Sequence, residues 1–171
     1  MKIAKSCIIK SMMSYNTPAL KRELANYISG YADGEGCFCV SFSRRPKLRV
    51  GWEVKPSFAV GQNYDRREVL DLMMKYFGCG FIRRDYGDKT LKYEVRSLDD
   101  LIIKIIPHFD TFPLKSSKRN DFVLFAKICR QMKRLDHLNK IGLAKIVGLA
   151  YQMNSSGKRR YAKEDLLQMK I

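Results

Sequence analysis

The sequence predicts an α+β fold in which two β-hairpins alternate with helices. Two stretches alternate apolar and polar residues, as half-buried strands do. The stretches between and after them repeat apolar residues at helical spacing, and Gly and Pro residues mark the boundaries. The resulting order is helix, hairpin, helix, hairpin, helices. We expect a single domain over residues 17–171, without internal repeat or linker, preceded by an extension over residues 1–16.

The predicted helices have recognisable ends. Thr17 is suited to cap the first helix, with Pro18 in its first turn, and this helix is expected to run to about Ala32. Gly78 is expected to end the second helix and Pro107 the third, because proline breaks a helix interior. The predicted helices cover about residues 17–32, 65–77, 98–106, 116–133 and 138–153, followed by a basic loop at 154–160 and a short C-terminal helix.

The strands form two hairpins. In the first, Phe38, Val40 and Phe42 alternate with smaller polar residues, which places these three side chains on one face. The turn of the second hairpin contains Tyr86-Gly87-Asp88. The predicted strands cover about residues 37–43, 49–60, 80–85 and 90–96.

The charge predicts a polyanionic partner. The chain has 33 Lys and Arg against 17 Asp and Glu, a net charge of +16. Such a surplus on one small domain is typical of proteins that bind phosphates and release counterions. Charge by itself equally allows a ribosomal or membrane-surface protein. A hydrophobic fraction of 46% argues against a disordered chain.

The cysteines and the apolar segments indicate the compartment. The five cysteines form no Cys-x-x-Cys pair, and their odd number favours reduced thiols inside a cell. No apolar run approaches the roughly 20 residues that span a membrane, and residues 1–16 lack a secretory signal. We therefore expect a soluble, intracellular protein without a membrane partner, in a prokaryotic cytoplasm or in an organelle.

Residues 28–36, ISGYADGEG, are the most informative segment. Gly30 and Gly34 lie four residues apart on one helix face, where another helix could approach closely. Asp33 and Glu35 follow at the negative end of the helix dipole. If two such helices packed together, their acids would require protonation, a basic partner or a divalent cation bound through oxygen. A glycine-rich turn with a capping Asp33 and a solvated Glu35 explains the local sequence equally well.

This segment resembles the LAGLIDADG motif of homing endonucleases, with residues 28–36 filling its nine positions. The departures are mild, since Ser29 replaces a small residue and Glu35 keeps the final acid as a carboxylate. The element order over residues 17–153 is similar to the core of the single-motif family. The resemblance implies a four-stranded antiparallel saddle that binds DNA, with extra C-terminal helices here. It also implies an intron-encoded, metal-dependent homodimer that cuts both strands of a long, partly palindromic target.

The resemblance assigns roles to the motif residues. Glu35 stands at the position of the metal-binding carboxylate, and the Gly34 carbonyl is a further candidate ligand. Asp33 matches an acid that is mainly structural, and Gly30 and Gly34 match the contact between the two motif helices. Mg²⁺ is the expected metal because the ligands are oxygens, and Mn²⁺ or Ca²⁺ are expected to be able to occupy the site in vitro.

Three residues outside the motif complete the expected active site. Gln62, at the end of the second strand, matches a polar residue that positions water. Arg66 and Lys115 match the two basic positions. Each has an ordinary alternative, as a strand end, a phosphate contact and a surface lysine. His108 and His137 match no position and are expected to be structural or surface residues.

The outer face of the two hairpins is the expected DNA-binding surface. Strand alternation, with Ile82, Tyr93 and Val95 also facing inward, predicts which side chains face the major groove. They are Cys39, Ser41, Ser43, Arg45, Glu53, Lys55, Ser57, Ala59, Phe81, Arg83, Asp85, Lys92, Glu94 and Arg96. A one-residue bulge would move the set to the other face. Lys158, Arg159 and Arg160 are expected to touch the DNA backbone or to stay solvated.

Two other functions are compatible with parts of this pattern. A non-cleaving member of the same family could act as an RNA-splicing maturase or a DNA-binding regulator, although Glu35, Gln62 and Lys115 argue against loss of the active site. A basic ribosomal protein would have no use for the acidic pair at the end of a glycine-containing helix. A dimer would favour the endonuclease, because one motif needs a second copy to complete the site.

Overall fold

The computed structural model confirms the predicted alternation of helices and hairpins. It describes residues 17–85, 87, 89–154 and 157–168, and the expected extension over residues 1–16 lies outside this range. The helices are α1 (Pro18–Glu35), α2 (Glu68–Phe77), α3 (Leu98–Asp100), α4 (Ile106–Thr111), α5 (Lys118–Lys133), α6 (Lys140–Ala150) and α7 (Lys163–Leu167), with a π-helical segment over Leu101–Ile105 and a 3-10 turn at Asp136–Leu138. The strands are β1 (Gly36–Arg44), β2 (Trp52–Asn63), β3 (Phe81–Asp85) and β4 (Thr90–Val95).

The four strands form one antiparallel sheet in the order β1-β2-β4-β3. Its inner face carries Phe38, Val40, Phe58, Val60 and Tyr93, all at most 1% exposed. The predicted strand parity is therefore correct, because no bulge shifts the register between paired strands. Helices cover this inner face, and the outer face remains open in the chain as described.

Phe38 is the centre of the core. Its ring lies 5.1 Å from that of Phe58 on β2, and 5.3 Å from those of Phe109, Phe122 and Phe125 on α4 and α5. Truncating such a buried ring to alanine typically costs about 3–5 kcal/mol. These contacts fix the sheet against the helices and so determine where α1 and the open sheet face lie.

The third helix was predicted to end at Pro107, but the helical chain continues past Pro107 to Thr111. The chain widens into the π-helical segment, where the N–H of Ile106 bonds to the carbonyl of Leu101, and α4 then begins and continues to Thr111. Pro107 occupies the first turn of α4, where a missing N–H costs little. The longer helix carries His108 and Phe109 into the core.

The C-terminal segment covers the free edge of β1. Arg159, expected on DNA or in solvent, instead donates hydrogen bonds to the carbonyls of Val40 at 3.2 Å and Met153 at 2.9 Å. Asn154 donates to the carbonyl of Phe38 at 2.8 Å. The bonds to Phe38 and Val40 satisfy carbonyls on the edge of β1 that would otherwise be open to pairing with another strand. Lys158 and Arg160, on either side of Arg159, are exposed.

In the described part of the chain, no helix has both the length and the apolar character needed to cross a bilayer. The four cysteines in the same part of the chain are unpaired.

Candidate active site and DNA-binding face

The motif lies at the C-terminal end of α1. The helix runs three residues beyond the predicted end and reaches Glu35, immediately before β1. Its buried residues include Ile28 and Ala32, which hold it against the core. Gly36 permits the change from helix to strand, because a Cβ there would lie 2.5 Å from the carbonyl oxygen of Ala32. Glu35 is therefore held at the junction between helix and sheet, and it is exposed.

Asp33 is used within the fold. Its carboxylate accepts the backbone N–H of Lys115 at 2.8 Å, the N–H of Ser116 at 2.9 Å and the hydroxyl of Ser116. Burial by itself would raise the pKa of Asp33, but these hydrogen bonds bring it below its ordinary value of 3.8. Asp33 thus ties α1 to the segment that enters α5, and it stabilises that segment as an ionised carboxylate.

Lys118, which no sequence pattern indicated, lies at the same helix end. Its ammonium donates hydrogen bonds to the carbonyl oxygens of Ala32 at 3.1 Å and Gly34 at 3.0 Å. A cation is favourable there because the last carbonyls of a helix carry its negative partial charge. The Gly34 carbonyl, a predicted metal ligand, is therefore occupied by Lys118. No sequence signal distinguishes Lys118 from the other Lys and Arg residues.

Glu35 forms no hydrogen bond or ion pair with any residue that the structure describes. Its charge nevertheless affects the pKa of Tyr31. Burial raises the pKa of Tyr31, the hydrogen bond from the Gln62 amide lowers it, and the charges of Glu35 and Arg66 raise and lower it respectively. Gln62 therefore contacts the Tyr31 hydroxyl directly, whereas Glu35 and Arg66 act on it only through their charges. Tyr31 is a motif residue to which the sequence assigned no role.

Lys115 is positioned through its backbone rather than through its side chain. Its N–H bonds to Asp33, and its side chain is exposed. Among the described residues, no group of three or more His, Cys, Asp or Glu side chains could hold a metal ion. One copy of this region brings one unpaired carboxylate, Glu35, to the end of α1.

The outer face of α1 is bare in the described structure. Gly30 and Gly34 are exposed, and a Cβ added to either would meet no atom within 4 Å. Tyr27, on the same side of the helix, is 48% exposed and lies 6.2 Å from the Tyr31 ring, measured between centroids. This surface has the small residues that allow a second helix to approach closely.

A buried polar network lies on the other side of α1. Ser29 donates its hydroxyl proton to the carbonyl of Phe112 at 2.7 Å, and its oxygen lies 3.0 Å from Nε2 of His108. Nε2 of His108 therefore carries the proton, and Nδ1 accepts from the Tyr76 hydroxyl at 3.0 Å. Burial lowers the pKa of His108 to about 4, so its ring is neutral. His108 is structural, as expected.

The predicted DNA-binding residues share the outer face of the sheet. The register places Cys39 opposite Ser57, and Arg83 opposite Lys92, on this side. Each acidic side chain of the set has two cationic partners. Glu53 pairs with Arg45 and Lys55, Asp85 with Lys92 and Arg83, and Glu94 with Arg83 and Arg96. Most of the set is exposed or half-buried, but Glu94 is buried beneath its partners.

Comparison with known proteins identifies the family. Residues 28–129 match the model of the LAGLIDADG endonucleases, and this range begins at the motif and ends within α5. The chain belongs to this family. Its relatives include a probable intron-encoded endonuclease of Neurospora crassa and the homing endonuclease I-ApeII of Aeropyrum pernix, which confirms the family resemblance seen in the sequence.

Individual relatives agree with this assignment. A 50.9 kDa protein encoded in ND4 intron 1 of Podospora anserina is 37% identical over 116 residues, which are 67% of this chain and 25% of that protein. This chain thus spans about a quarter of that relative's length.

Solved structures show the same fold. The homing endonuclease I-TnaI is 35% identical with a TM-score of 0.74, over 83% of this chain and 92% of that one. The LAGLIDADG homing endonuclease I-LtrWI, bound to its target DNA, is 32% identical with a TM-score of 0.81, over 87% of this chain and 50% of that one. The same folded unit therefore occurs as nearly a whole chain in one relative and as half of a longer chain in another.

Proposed function

We propose that this protein is a site-specific homing endonuclease, a homodimer that hydrolyses both strands of a long, partly palindromic DNA duplex with Mg²⁺. The observation that carries the proposal is Glu35, an exposed carboxylate at the end of the motif helix without a partner among the described residues. Family membership supports the nuclease activity, and the DNA-bound relative I-LtrWI supports duplex DNA as the substrate.

The oxygen donors at the end of α1 fit a hard divalent cation. Glu35 would hold it through its carboxylate and Gly34 through its carbonyl, after Lys118 releases that carbonyl. Bound there, the metal would activate water and stabilise charge on the scissile phosphate. Mg²⁺ is the metal that this donor set favours, with Mn²⁺ and Ca²⁺ as substitutes in vitro.

The basic and polar neighbours of Glu35 would perform the remaining steps. Gln62, which donates a hydrogen bond to the Tyr31 hydroxyl, would orient a water molecule. Arg66 and Lys115 would neutralise the phosphate charge. Lys118 would join them once it leaves the Gly34 carbonyl, which adds a third cation to the two that the sequence suggested.

The bare face of α1 supports the homodimer. One copy of the site has a single free carboxylate, so a second motif helix must supply the other. Gly30 and Gly34 leave room for that helix, and a two-fold axis between the helices would bring the two Glu35 residues together. Each copy would then contribute to the cutting of the two DNA strands.

The outer face of the sheet supports sequence-specific binding. Its side chains combine hydrogen-bond donors and acceptors, which reading base edges in the major groove requires. The net charge of +16 would supply the phosphate affinity and make binding sensitive to salt.

The test is cleavage of a plasmid that carries the intron-free form of the host gene. We expect one discrete double-strand cut with Mg²⁺, none with EDTA, and specific binding without cutting in Ca²⁺ or after Glu35→Gln. Specific binding without any cut in Mg²⁺ would favour a non-cleaving maturase or regulator. Absence of specific DNA binding would refute the proposal, and a cut in EDTA would refute its metal dependence.

A further inference from the structure

Glu94 is buried on a face that is otherwise open. It lies on the outer side of β4, yet its side chain is 8% exposed, against 29% for Glu53 and 30% for Asp85 on the same face. Burial of a charged group is costly unless hydrogen bonds and opposite charges compensate it. The structure provides this compensation through two arginines.

One oxygen of Glu94 receives both arginines. Its Oε2 accepts a hydrogen bond from Nε of Arg83 at 2.8 Å and from Nη2 of Arg96 at 2.8 Å. The Arg96 guanidinium also lies over the ring of Phe81, 5.5 Å from its centroid. Burial raises the pKa of Glu94, but the hydrogen bonds from Arg96 and Arg83 lower it below its ordinary value. Glu94 is therefore ionised and inaccessible, and it fixes two guanidinium groups.

The two arginines keep the capacity to bind DNA. Their side chains are 37% and 59% exposed for Arg83 and Arg96. A guanidinium carries several N–H donors, so the bond to Glu94 leaves others free on each. Arginine held in a fixed orientation is well suited to bidentate contact with O6 and N7 of guanine.

The cluster lies near the proposed active site. Glu94 pairs across the sheet with Ala59, and Ala59 pairs with Cys37, two residues after Glu35. Glu53 pairs with Ser43, which is six residues further along β1, or about 20 Å at the usual rise per strand residue. The Glu94 cluster thus lies at the end of the outer sheet face that is near the proposed active site, and the Glu53 cluster lies at the far end. Only the Glu94 carboxylate is buried.

We propose that Glu94 is a positioning residue for DNA recognition, which holds Arg83 and Arg96 for contact with two guanines in each half of the target and does not itself contact a base. This inference rests on the proposed DNA-binding function. Strand alternation predicted that Glu94 contacts DNA directly, and the positioning role replaces that prediction. Alternation predicts which face of the sheet a side chain lies on but not whether it is buried there.

The test is selection of bound duplexes from a library of randomised target sites in Ca²⁺, followed by sequencing. The wild type should select guanine at two positions in each half-site. Glu94→Gln should lower the guanine preference at both positions by on the order of tenfold, since a bidentate contact discriminates by about that factor or more. Preferences at the other positions should remain.

Glu53→Gln is the matched control. It removes the same single negative charge from the same face, but its carboxylate is more exposed and lies at the other end of β1 from Glu94. It should change only the base preferences nearest to Glu53 and leave both guanine preferences intact. Arg83→Lys and Arg96→Lys, which retain Glu94, should each remove one of the two preferences. These two variants also test the inference if Glu94→Gln fails to fold.

The outcomes separate the inference from the proposed function. If the wild type selects no sequence, DNA recognition fails and the inference fails with it. If the wild type selects a sequence but Glu94→Gln keeps the guanines, or weakens every position equally, the positioning role is refuted while the endonuclease proposal stands. Unchanged guanine preferences in both arginine variants would refute it as well.

Discussion

On the outer face of the sheet, each acidic side chain of the expected DNA-binding set has two cationic partners, whereas at the end of α1 Glu35 has none among the described residues. Cations are available at both places. Lys118 lies at the same helix end but bonds to carbonyl oxygens, and Arg66 is close enough to influence Tyr31. The difference therefore reflects how the two regions position their charges.

We propose that the acid without a cationic partner, Glu35, is the one that binds the metal. Paired acids on the sheet orient arginines and lysines, and Asp33 orients backbone amides. An unpaired carboxylate at the negative end of a helix is electrostatically unfavourable, and a bound cation would remove this penalty.

Glu35→Gln should separate activity from stability. We expect cleavage to fall by roughly a thousandfold, because the loss of a metal ligand removes several kcal/mol of barrier lowering. The free energy of unfolding should stay equal or rise slightly, since the substitution relieves an unpaired charge. Plasmid cleavage and urea denaturation measure the two effects. Retained cleavage would show that Glu35 is not a ligand.

Gly30→Leu tests whether a second copy completes the site. The monomer has room for the side chain, but a partner helix would not, so we expect the dimer dissociation constant to rise by at least about a hundredfold. Gly148→Leu, also in open space on a helix, is the control and should leave the dimer intact. Sedimentation of both variants at several concentrations measures the dimer dissociation constants. An unchanged dimer in Gly30→Leu would place the contact elsewhere.

Acid should destabilise the protein through His108. Its pKa is lowered to about 4 in the fold, against about 6.5 when unfolded. The unfolded chain therefore binds more protons between these values, and stability is full above pH 6.5 and falls as the pH drops towards 4. The loss should be on the order of 3 kcal/mol. Urea denaturation from pH 7.5 to 4 should show it in the wild type. His108→Gln, which cannot titrate, should have a flatter profile, and an equal slope in both would assign the loss to other groups.

Asp33→Asn should weaken the fold more than the chemistry. The side chain keeps one acceptor for the N–H groups of Lys115 and Ser116 but loses its charge, which should cost about 1–2 kcal/mol of unfolding free energy. Cleavage should fall far less than in Glu35→Gln when both are measured below the melting temperature. A loss of cleavage equal to that of Glu35→Gln would give the two acids the same role.

Glu53→Gln should have the smallest effect. Its pairs with Arg45 and Lys55 are solvent-exposed, and such pairs contribute little to stability. We expect the free energy of unfolding to stay near that of the wild type and cleavage to fall far less than in Glu35→Gln, with both variants measured in parallel. A large loss of cleavage or of unfolding free energy would mean that Glu53, with Arg45 and Lys55, does more than orient surface charge.

Local patterns predicted much of this structure. Alternation in β1 gave the correct inner face, and the end of α1 was predicted to within three residues. The prediction at Pro107 was wrong because the π-helical segment before it changes the hydrogen-bonding frame, which no local propensity indicates. Arg159 was placed wrongly because the β1 carbonyl that it contacts, that of Val40, lies more than a hundred residues earlier in the sequence.

The α+β order, the outer face of the sheet, the family and the two motif acids could be read from the sequence, because each depends on the spacing of residues along a short segment. The bonding of Asp33, the absence of a described partner for Glu35, the contact of Lys118 with the end of α1 and the burial of Glu94 beneath two arginines became visible only in the folded chain. These outcomes depend on which polar atoms come within about 3 Å of each other, and the partners of Asp33 and of the α1 carbonyls lie more than 80 residues away in the sequence.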